Sequence, residues 1–278
     1  FFGLCAGYLN TTGTDNNFFG YRSGQCNTTG SRNNFFGLCA GQCNTTGSDN
    51  TFIGHHAGRY STTGSGNAFI GFWAGRYNTN GSCNNFFGYY SGTGNRSGCN
   101  NVFIGQCAGK NNYSACNNIA IGWRSGAGSG GQGDPDGLVN FCTCGNYIVM
   151  GNSFHTTACI QVAWTTPSDI RYKCVYGNVP NGKDFLRGVN PIKYSFKDKK
   201  TGELKEDKVR YGFSAQEILS LEGEDNVIVD NSNPEYLGLT HEYMIPILVN
   251  AVKELDSENK ELKQRLINLE NYLGIINS

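Results

Sequence analysis

"NNFFGLCAGQCNTTGSDN", residues 33–50, sets Phe35 and Phe36 side by side in a segment otherwise made of turn formers. Adjacent side chains on a strand point to opposite faces, so a strand with one buried face hides one ring and exposes the other. The pair therefore needs two apolar environments. The motif also recurs, as Phe1-Phe2-Gly3, Phe18-Phe19-Gly20, Phe35-Phe36-Gly37, Phe52-Ile53-Gly54, Phe69-Ile70-Gly71, Phe86-Phe87-Gly88, Phe103-Ile104-Gly105 and Ala120-Ile121-Gly122, at a constant spacing of 17 residues.

Numbered from the first residue of each pair, the unit reads F-[FI]-G-x-x-[AS]-G-x-x-N-T-T-G-S-x-N-x, with glycine at positions 3 and 7 in all eight copies and asparagine at position 16 in all seven full ones. A fixed period of this size marks stacked supersecondary units. Seventeen residues hold two short strands and two tight bends, with Gly supplying positive φ and Asn or Ser bonding its own backbone. Each unit is then one coil of a β-solenoid, and stacked coils pair as parallel strands in a shaft of roughly seven and a half rungs, about 35 Å tall. Position 16 lines up Asn16, Asn33, Asn50, Asn67, Asn84, Asn101 and Asn118 in a column whose amides can bond up the stack.

On this reading one member of each pair fills the coil and its neighbour packs on another copy of the chain around a common axis. A monomeric solenoid would leave a stripe of about eight large apolar side chains in water, more than a soluble monomer usually shows. The repeat, most closely "NNIAIGWRSG" at 117–126, resembles the parallel β-roll heads of trimeric autotransporter adhesins and similar repeats of viral and bacterial fibres. The resemblance implies a homotrimer, which the period alone does not.

Lys+Arg and Asp+Glu balance at 22 each, which argues against bulk attraction to nucleic acid or a membrane surface. Residues 1–126 nevertheless hold only two acids, Asp15 and Asp49, against seven bases, and the remainder carries twenty acids and fifteen bases. Two isolated aspartates at equivalent turn positions are a poor pair for glycoside hydrolysis. Neither a transmembrane run nor a signal peptide is visible. The chain opens at Phe1 already in repeat register, which reads as a fragment of a longer protein.

Most of the 12 cysteines sit in repeat columns, Cys5, Cys39 and Cys107 at position 5 and Cys26 and Cys43 at position 9, where small apolar filler is the expected role. Cys26 with Cys43, and Cys99 with Cys116, fall on consecutive rungs within reach of a disulfide, and reduced thiols are expected during assembly. His55-His56 and Cys142-Thr143-Cys144 lack zinc-site spacing, and neighbouring histidines on a strand diverge, so no metal and no cofactor is expected.

Residues 127–138, "AGSGGQGDPDGL", break the repeat as a connector, and alternation over the following residues to 167 reads as a short β segment. From Pro167 the pattern turns mixed α/β, with a hairpin around Lys200-Thr201-Gly202 and a short helix from Ser214. After Pro246, Leu248, Val252, Leu255, Asn259, Leu262, Leu266, Leu269, Leu273 and Ile276 alternate spacings of four and three, a heptad seam that predicts a coiled coil over about 246–276. Packing of that seam on its own domain is the alternative. Asn259 would set register and oligomer state.

"TTPSDIRYK", 165–173, holds Ser168 and Lys173 five residues apart, a weak signal on spacing alone because a serine after proline and before aspartate is more often a turn or helix cap. With "YGFSAQEI" at 211–218, "YLGLTHEYMIPILVNAVKEL" at 236–255 and the closing heptads, in that order, residues 168–278 resemble the self-cleaving intramolecular chaperone domain of phage tail fibres, endosialidase tailspikes and the myelin regulatory factor. Tyr172 stands where leucine is common and Ser214 where isoleucine is common. The resemblance implies a domain that trimerises, guides folding of the shaft, and cuts itself off between Pro167 and Ser168. Ser168 would be the nucleophile and Lys173 its base, a neutral amine that Arg171 could help hold unprotonated; Asp169 and Gln216 would orient and pack.

The expected architecture is thus a mainly β solenoid of 17-residue parallel coils over 1–126, a connector over 127–167, and a small α/β chaperone domain over 168–278 ending in a coiled coil. The function it predicts is that of a trimeric fibre or spike of a virion, with a host receptor or glycan as a further partner. A cellular surface adhesin of the same architecture and a non-cleaving, chaperone-tipped fibre are the alternatives. An ice-binding solenoid is a rival of another class, because Thr11, Thr28, Thr45, Thr62 and Thr79 form a column, although that column ends at Arg96 and Tyr113.

Overall fold

The computed structural model describes residues 1–127, 145–151, 168–197, 202–204, 208–223, 226–231 and 237–273. The chain divides into two compact units, Phe1–Gln161 and Val162–Ser278. The first is a parallel β-solenoid. Its strands β1 (Asn17–Phe19), β2 (Asn34–Phe36), β3 (Thr51–Ile53), β4 (Ala68–Ile70), β5 (Asn85–Phe87), β6 (Val102–Ile104), β7 (Ile119–Ile121) and β8 (Ile148–Met150) form one sheet in strict chain order. Register is locked to the repeat, with Phe18 opposite Phe35 and Phe35 opposite Phe52. Each coil contributes one three-residue strand rather than the two expected. Its other sides are runs of turns, whose amides still bond from rung to rung, as where Gly24 N–H meets the Ala40 carbonyl at 3.0 Å.

β8 lies within the expected short β segment and continues the sheet. Ile119 pairs with Ile148 and Ala120 with Val149, so this strand adds a rung to the shaft, the last among the described residues. The Tyr147 N–H reaches Asn118 Oδ1 at 3.0 Å across 29 residues of sequence instead of 17. "NYIVMG" at 146–151 is the repeat motif again, displaced from its period by inserted residues. Cys142-Thr143-Cys144 lies outside the described residues.

The core is a single column of rings. Phe18, Phe35, Phe52, Phe69, Phe86 and Phe103 are fully buried, and successive centroids lie 4.7–5.0 Å apart. Glycine at position 7 is dictated by this column. Gly58 has φ +56°, and a Cβ there would stand 2.6 Å from the Phe52 ring. Glycine at position 3 answers to the backbone instead: a Cβ on Gly54, at φ +132°, would meet the Gly71 carbonyl oxygen at 2.5 Å. Positions 5 and 15 also take left-handed backbone, yet carry side chains: Arg22, Cys39, His56, Trp73 and Tyr90 at the first, Asp15, Arg32, Asp49 and Cys83 at the second. Their N–H groups bond the preceding rung, Trp73 to His55 at 3.0 Å and Arg32 to Thr14 at 2.9 Å, so the stack imposes a conformation that local preference opposes.

Asparagine does form the ladder expected at position 16. The Asn67 side chain donates to the Gly81 carbonyl at 2.9 Å and to Asn50 Oδ1 at 3.1 Å, and Asn67 Oδ1 accepts the Asn84 N–H at 2.9 Å. A second ladder runs at position 10, where Asn44 donates to Asn27 and Asn95 to Asn78, both at 2.7 Å. These amides are buried and would be costly without partners. In the threonine column, Thr28 donates its hydroxyl to the Thr45 carbonyl at 3.0 Å, and Thr45 to Thr62 likewise. Those hydrogens are committed to the stack rather than offered to a lattice of water.

Nine cysteines among the described residues are free thiols. Cys39 is buried as filler, while Cys26 and Cys43 are half-buried and Cys116 Sγ accepts the Cys99 N–H at 3.0 Å. His55 and His56 lie in a turn, not on a strand, and their ring centroids are 4.0 Å apart, so they do not diverge as expected. Among the described residues no three His, Cys, Asp or Glu side chains come together as a metal site would need.

The second unit packs α1 (Lys183–Arg187), a hairpin of β9 (Ile192–Tyr194) and β10 (Arg210–Gly212), α2 (Ala215–Glu222), the pair β11 (Val229–Asp230) and β12 (Gly238–Leu239), and α3 (Met244–Tyr272). The strand pairing of the hairpin and the α2 helix match expectation, with Lys200 and Thr201 outside the described residues and the Ser214 hydroxyl capping α2 by accepting the Glu217 N–H. α1 and the β11–β12 pair were not foreseen. The core is Ile218, Ile228, Val229, Met244 and Ile247. Glu222, at the end of α2, accepts the N–H groups of Val227, Ile228 and Val229 at 2.7–3.0 Å and so ties α2 to β11.

Two stability predictions follow from the columns. Gly58→Ala lowers stability by about 2–5 kcal/mol, from the left-handed penalty plus overpacking of the ring. Cys83→Gly raises it by about 0.5–1 kcal/mol, since Gly66 already occupies the same left-handed column position; denaturant midpoints of the two variants should move in opposite directions. A third concerns acid. Burial, with help from His55, Arg59 and Arg76, lowers the His56 pKa to about 4. The unfolded chain therefore takes up a proton that the folded one refuses between about pH 6.5 and 4, and stability falls across that window as pH drops. His56→Gln should flatten that part of a plot of unfolding midpoint against pH.

Candidate functional site

The candidate site is built by one short turn. Asp169 caps the 3-10 turn Ile170–Tyr172, its carboxylate accepting the Arg171 N–H at 2.9 Å. The Tyr172 N–H closes on the Asp169 carbonyl and the Lys173 N–H on the Ile170 carbonyl, both at 3.1 Å. The turn folds the chain back, and Lys173 Nζ donates to Ser168 Oγ at 2.6 Å. Residues five apart in sequence thus come within hydrogen-bond distance of each other. Both side chains are exposed in the single chain.

Arg171 is hydrogen-bonded to Asp169. Its guanidinium forks onto Asp169, with Nε at 2.9 and 3.1 Å from the two carboxylate oxygens. That hydrogen bonding holds the Asp169 carboxyl below its usual pKa and raises that of Arg171, so the arginine's charge is spent on its neighbour. Gln216 sits in the first turn of α2, where Oε1 accepts the Ser214 hydroxyl at 3.3 Å; its hydrogen bond is to the cap and not to Ser168 or Lys173. Pro167 lies outside the described residues.

Downstream of the turn, the chain is anchored on α3 by contacts that sequence reading missed. The Asn250 side chain donates to the Val179 and Asn181 carbonyls at 2.9 and 3.2 Å. The Lys183 N–H meets Glu254 at 2.8 Å, and the Lys183 ammonium pairs with Glu258. These partners lie 69–75 residues apart, and nothing local in either segment announces the other.

α3 presents two faces. Met244, Ile247 and Ala251 are buried against the domain. The heptad positions Leu248, Val252, Leu255, Leu262, Leu266, Leu269 and Leu273 are 46–63 % exposed, so the seam is not spent on its own domain. Ile276 lies outside the described residues. The helix begins at Met244, with Pro246 in its first turn, where the missing N–H costs nothing.

The solenoid repeats this division on its sheet. From Phe18 to Phe103 the first ring of each pair is buried, and the second residue faces out: Phe19 is 45 % exposed, Phe36 38 % and Ile104 41 %. Among the described residues no helix is long and apolar enough to cross a membrane. Neither a curated protein nor a solved structure matches the chain. Residues 168–227 match the family described as chaperone of endosialidase, so the chain joins a β-solenoid to a C-terminal chaperone-of-endosialidase domain.

Proposed function

We propose that this chain is a segment of a trimeric fibre, most simply a viral tail fibre or spike, whose C-terminal domain brings three copies together, directs folding of the shaft, and then releases itself by cutting between Pro167 and Ser168. The observation that carries the reading is an unpartnered apolar line on both units, the second ring of each coil on the shaft and the heptad seam on α3. Water is a poor covering for either, and copies of the same chain in the same register cover both. The number three comes from the resemblance of the C-terminal domain to trimeric chaperones. Paired seams form the coiled coil, with Asn259 in its core setting the register.

In the cut, Ser168 Oγ attacks the Pro167 carbonyl carbon as Lys173 Nζ takes the hydroxyl proton. The peptide C–N bond breaks, the proton passes to the Ser168 nitrogen, and an ester joins Pro167 to Ser168 Oγ. Water then hydrolyses the ester, leaving a carboxylate on Pro167 and a free amine on Ser168. An amine must be neutral to accept that proton, and burial is what neutralises a lysine. Ser168 and Lys173 are exposed in the single chain, so the dry environment comes from neighbouring copies, and cutting waits for assembly. Loss of the chaperone afterwards removes the route back to the unfolded chains and leaves a kinetically stable shaft.

Intact-mass measurement of the freshly expressed chain tests this directly. The parent protein gives two fragments divided after Pro167, while Ser168→Ala and Lys173→Ala give one uncut mass each. Cutting that persists in either variant refutes the dyad, and a parent that stays whole leaves the chaperone-tipped, non-cleaving fibre as the surviving form of the proposal.

A further inference from the structure

One flank of the shaft, made by positions 4, 5, 8 and 9 of the repeat, gathers aromatic rings and cations without an acid. Arg76 lies 3.6 Å over the Trp73 ring and 5.0 Å from that of Tyr77; Arg59 lies 5.0 Å over Tyr60, and Lys110 lies 5.6 Å from Tyr90. No ion pair engages Arg59, Arg76 or Lys110 among the described residues; Arg59 donates only to Gln42, at 3.0 Å. The two acids of residues 1–126, Asp15 and Asp49, stand at position 15, and Asp49 is already taken by Arg32. Four of the seven orphaned buried polar side-chain atoms among the described residues also fall in this cluster: Nδ1 of His55 and of His56, Trp73 Nε1 and Arg76 Nε. Elsewhere in the described solenoid only Asn44 Oδ1 and Asn112 Oδ1 lack a partner, so this concentration calls for an explanation.

The rings themselves narrow the ligand. Tyr60 stacks on Tyr77 at 5.5 Å and Phe72 on Tyr89 at 5.2 Å, so their faces are used on each other along the columns. These stacks lie beside guanidinium and ammonium groups. Single-stranded nucleic acid binds through ring faces on which bases stack, and each stack here already takes one face of each of its rings. A surface of clustered cationic donors suits an acceptor-rich chain with spaced negative charges.

We infer that this flank, centred on Arg59, Trp73 and Arg76, binds an anionic saccharide through its carboxylate or sulfate groups. A second shaft is a poor occupant, because its acids are too few to neutralise the cations. The inference rests on the fibre reading above in one respect: assembly through the outward face of the strands leaves these turn residues in solvent.

The test titrates the full-length protein with a sulfated dextran oligosaccharide, a polyuronate oligosaccharide, neutral dextran of equal length and a twelve-residue oligothymidylate, by calorimetry, with light scattering on the same samples. The expected result is binding of the charged saccharides over the neutral one, weakening with salt, and a loss of about tenfold or more in Arg59→Gln/Arg76→Gln, the scale set by charge-assisted hydrogen bonds. Whichever of the two charged oligomers binds more tightly identifies sulfate or carboxylate as the group recognised. Binding of neutral dextran or oligothymidylate as tight as the charged saccharides, no binding at all, or affinity unchanged in the double variant overturns the inference. A double variant that loses its subunit partners puts another copy on the flank and overturns it too. A trimer that ignores every saccharide ends this inference alone, whereas a monomer that binds them keeps it and ends the fibre reading.

Discussion

In-register parallel stacking carries the shaft, because no coil of 17 residues can bury its own contents. The Phe52 ring is covered on its faces by Phe35 and Phe69, and the Asn67 amide spends its hydrogen bonds on the rungs either side. Each coil is thus completed only by its neighbours, the condition that makes solenoids quasi-one-dimensional. The same lockstep holds more than a dozen side-chain-bearing residues in left-handed backbone, an opposition tolerated because every rung repeats the bond that enforces it.

That dependence shapes both assembly and folding. A strand only three residues long has an inner face for one ring, and the ring beside it must face out. The outward line is regular because the repeat is, and regularity is what lets identical chains cover one another. All of these pairings are non-local, so nucleation is slow and open rungs are vulnerable to slipped register. A C-terminal domain that associates first raises the local concentration of shafts and sets their alignment. The proposed serine-lysine cut fits the same order of events, since a lysine base would need a desolvation that a lone chain does not supply.

The shaft was legible in the sequence because its determinants repeat. The Phe pair, the two glycines and the position 16 asparagine each announce themselves at a fixed spacing. β8 was not legible, because inserted residues displace "NYIVMG" from its period and, although Met150 and Gly151 keep the motif, Tyr147 stands where position 16 has asparagine and Val149 where position 1 has phenylalanine. The left-handed side chains at positions 5 and 15 were also hidden. Cys, Arg, His, Trp and Asp share no preference for that conformation, and it is imposed from outside by the rung below. At the site, Ser168 and Lys173 were singled out by the resemblance, because their spacing alone reads as a turn or cap, and the fork of Arg171 onto Asp169, two residues away, leaves no mark in the pattern. The anchoring of residues 179–183 on α3 depends on partners far away in the chain and leaves no local trace.

The claim on which the account stands is that the outward rings of the shaft and the exposed seam of α3 are covered by further copies of the chain. Sedimentation equilibrium of the Ser168→Ala protein, which keeps shaft and chaperone joined, measures this most directly. The account predicts a single species of three chains whose mass does not change on dilution. A well-folded species of one chain would contradict it.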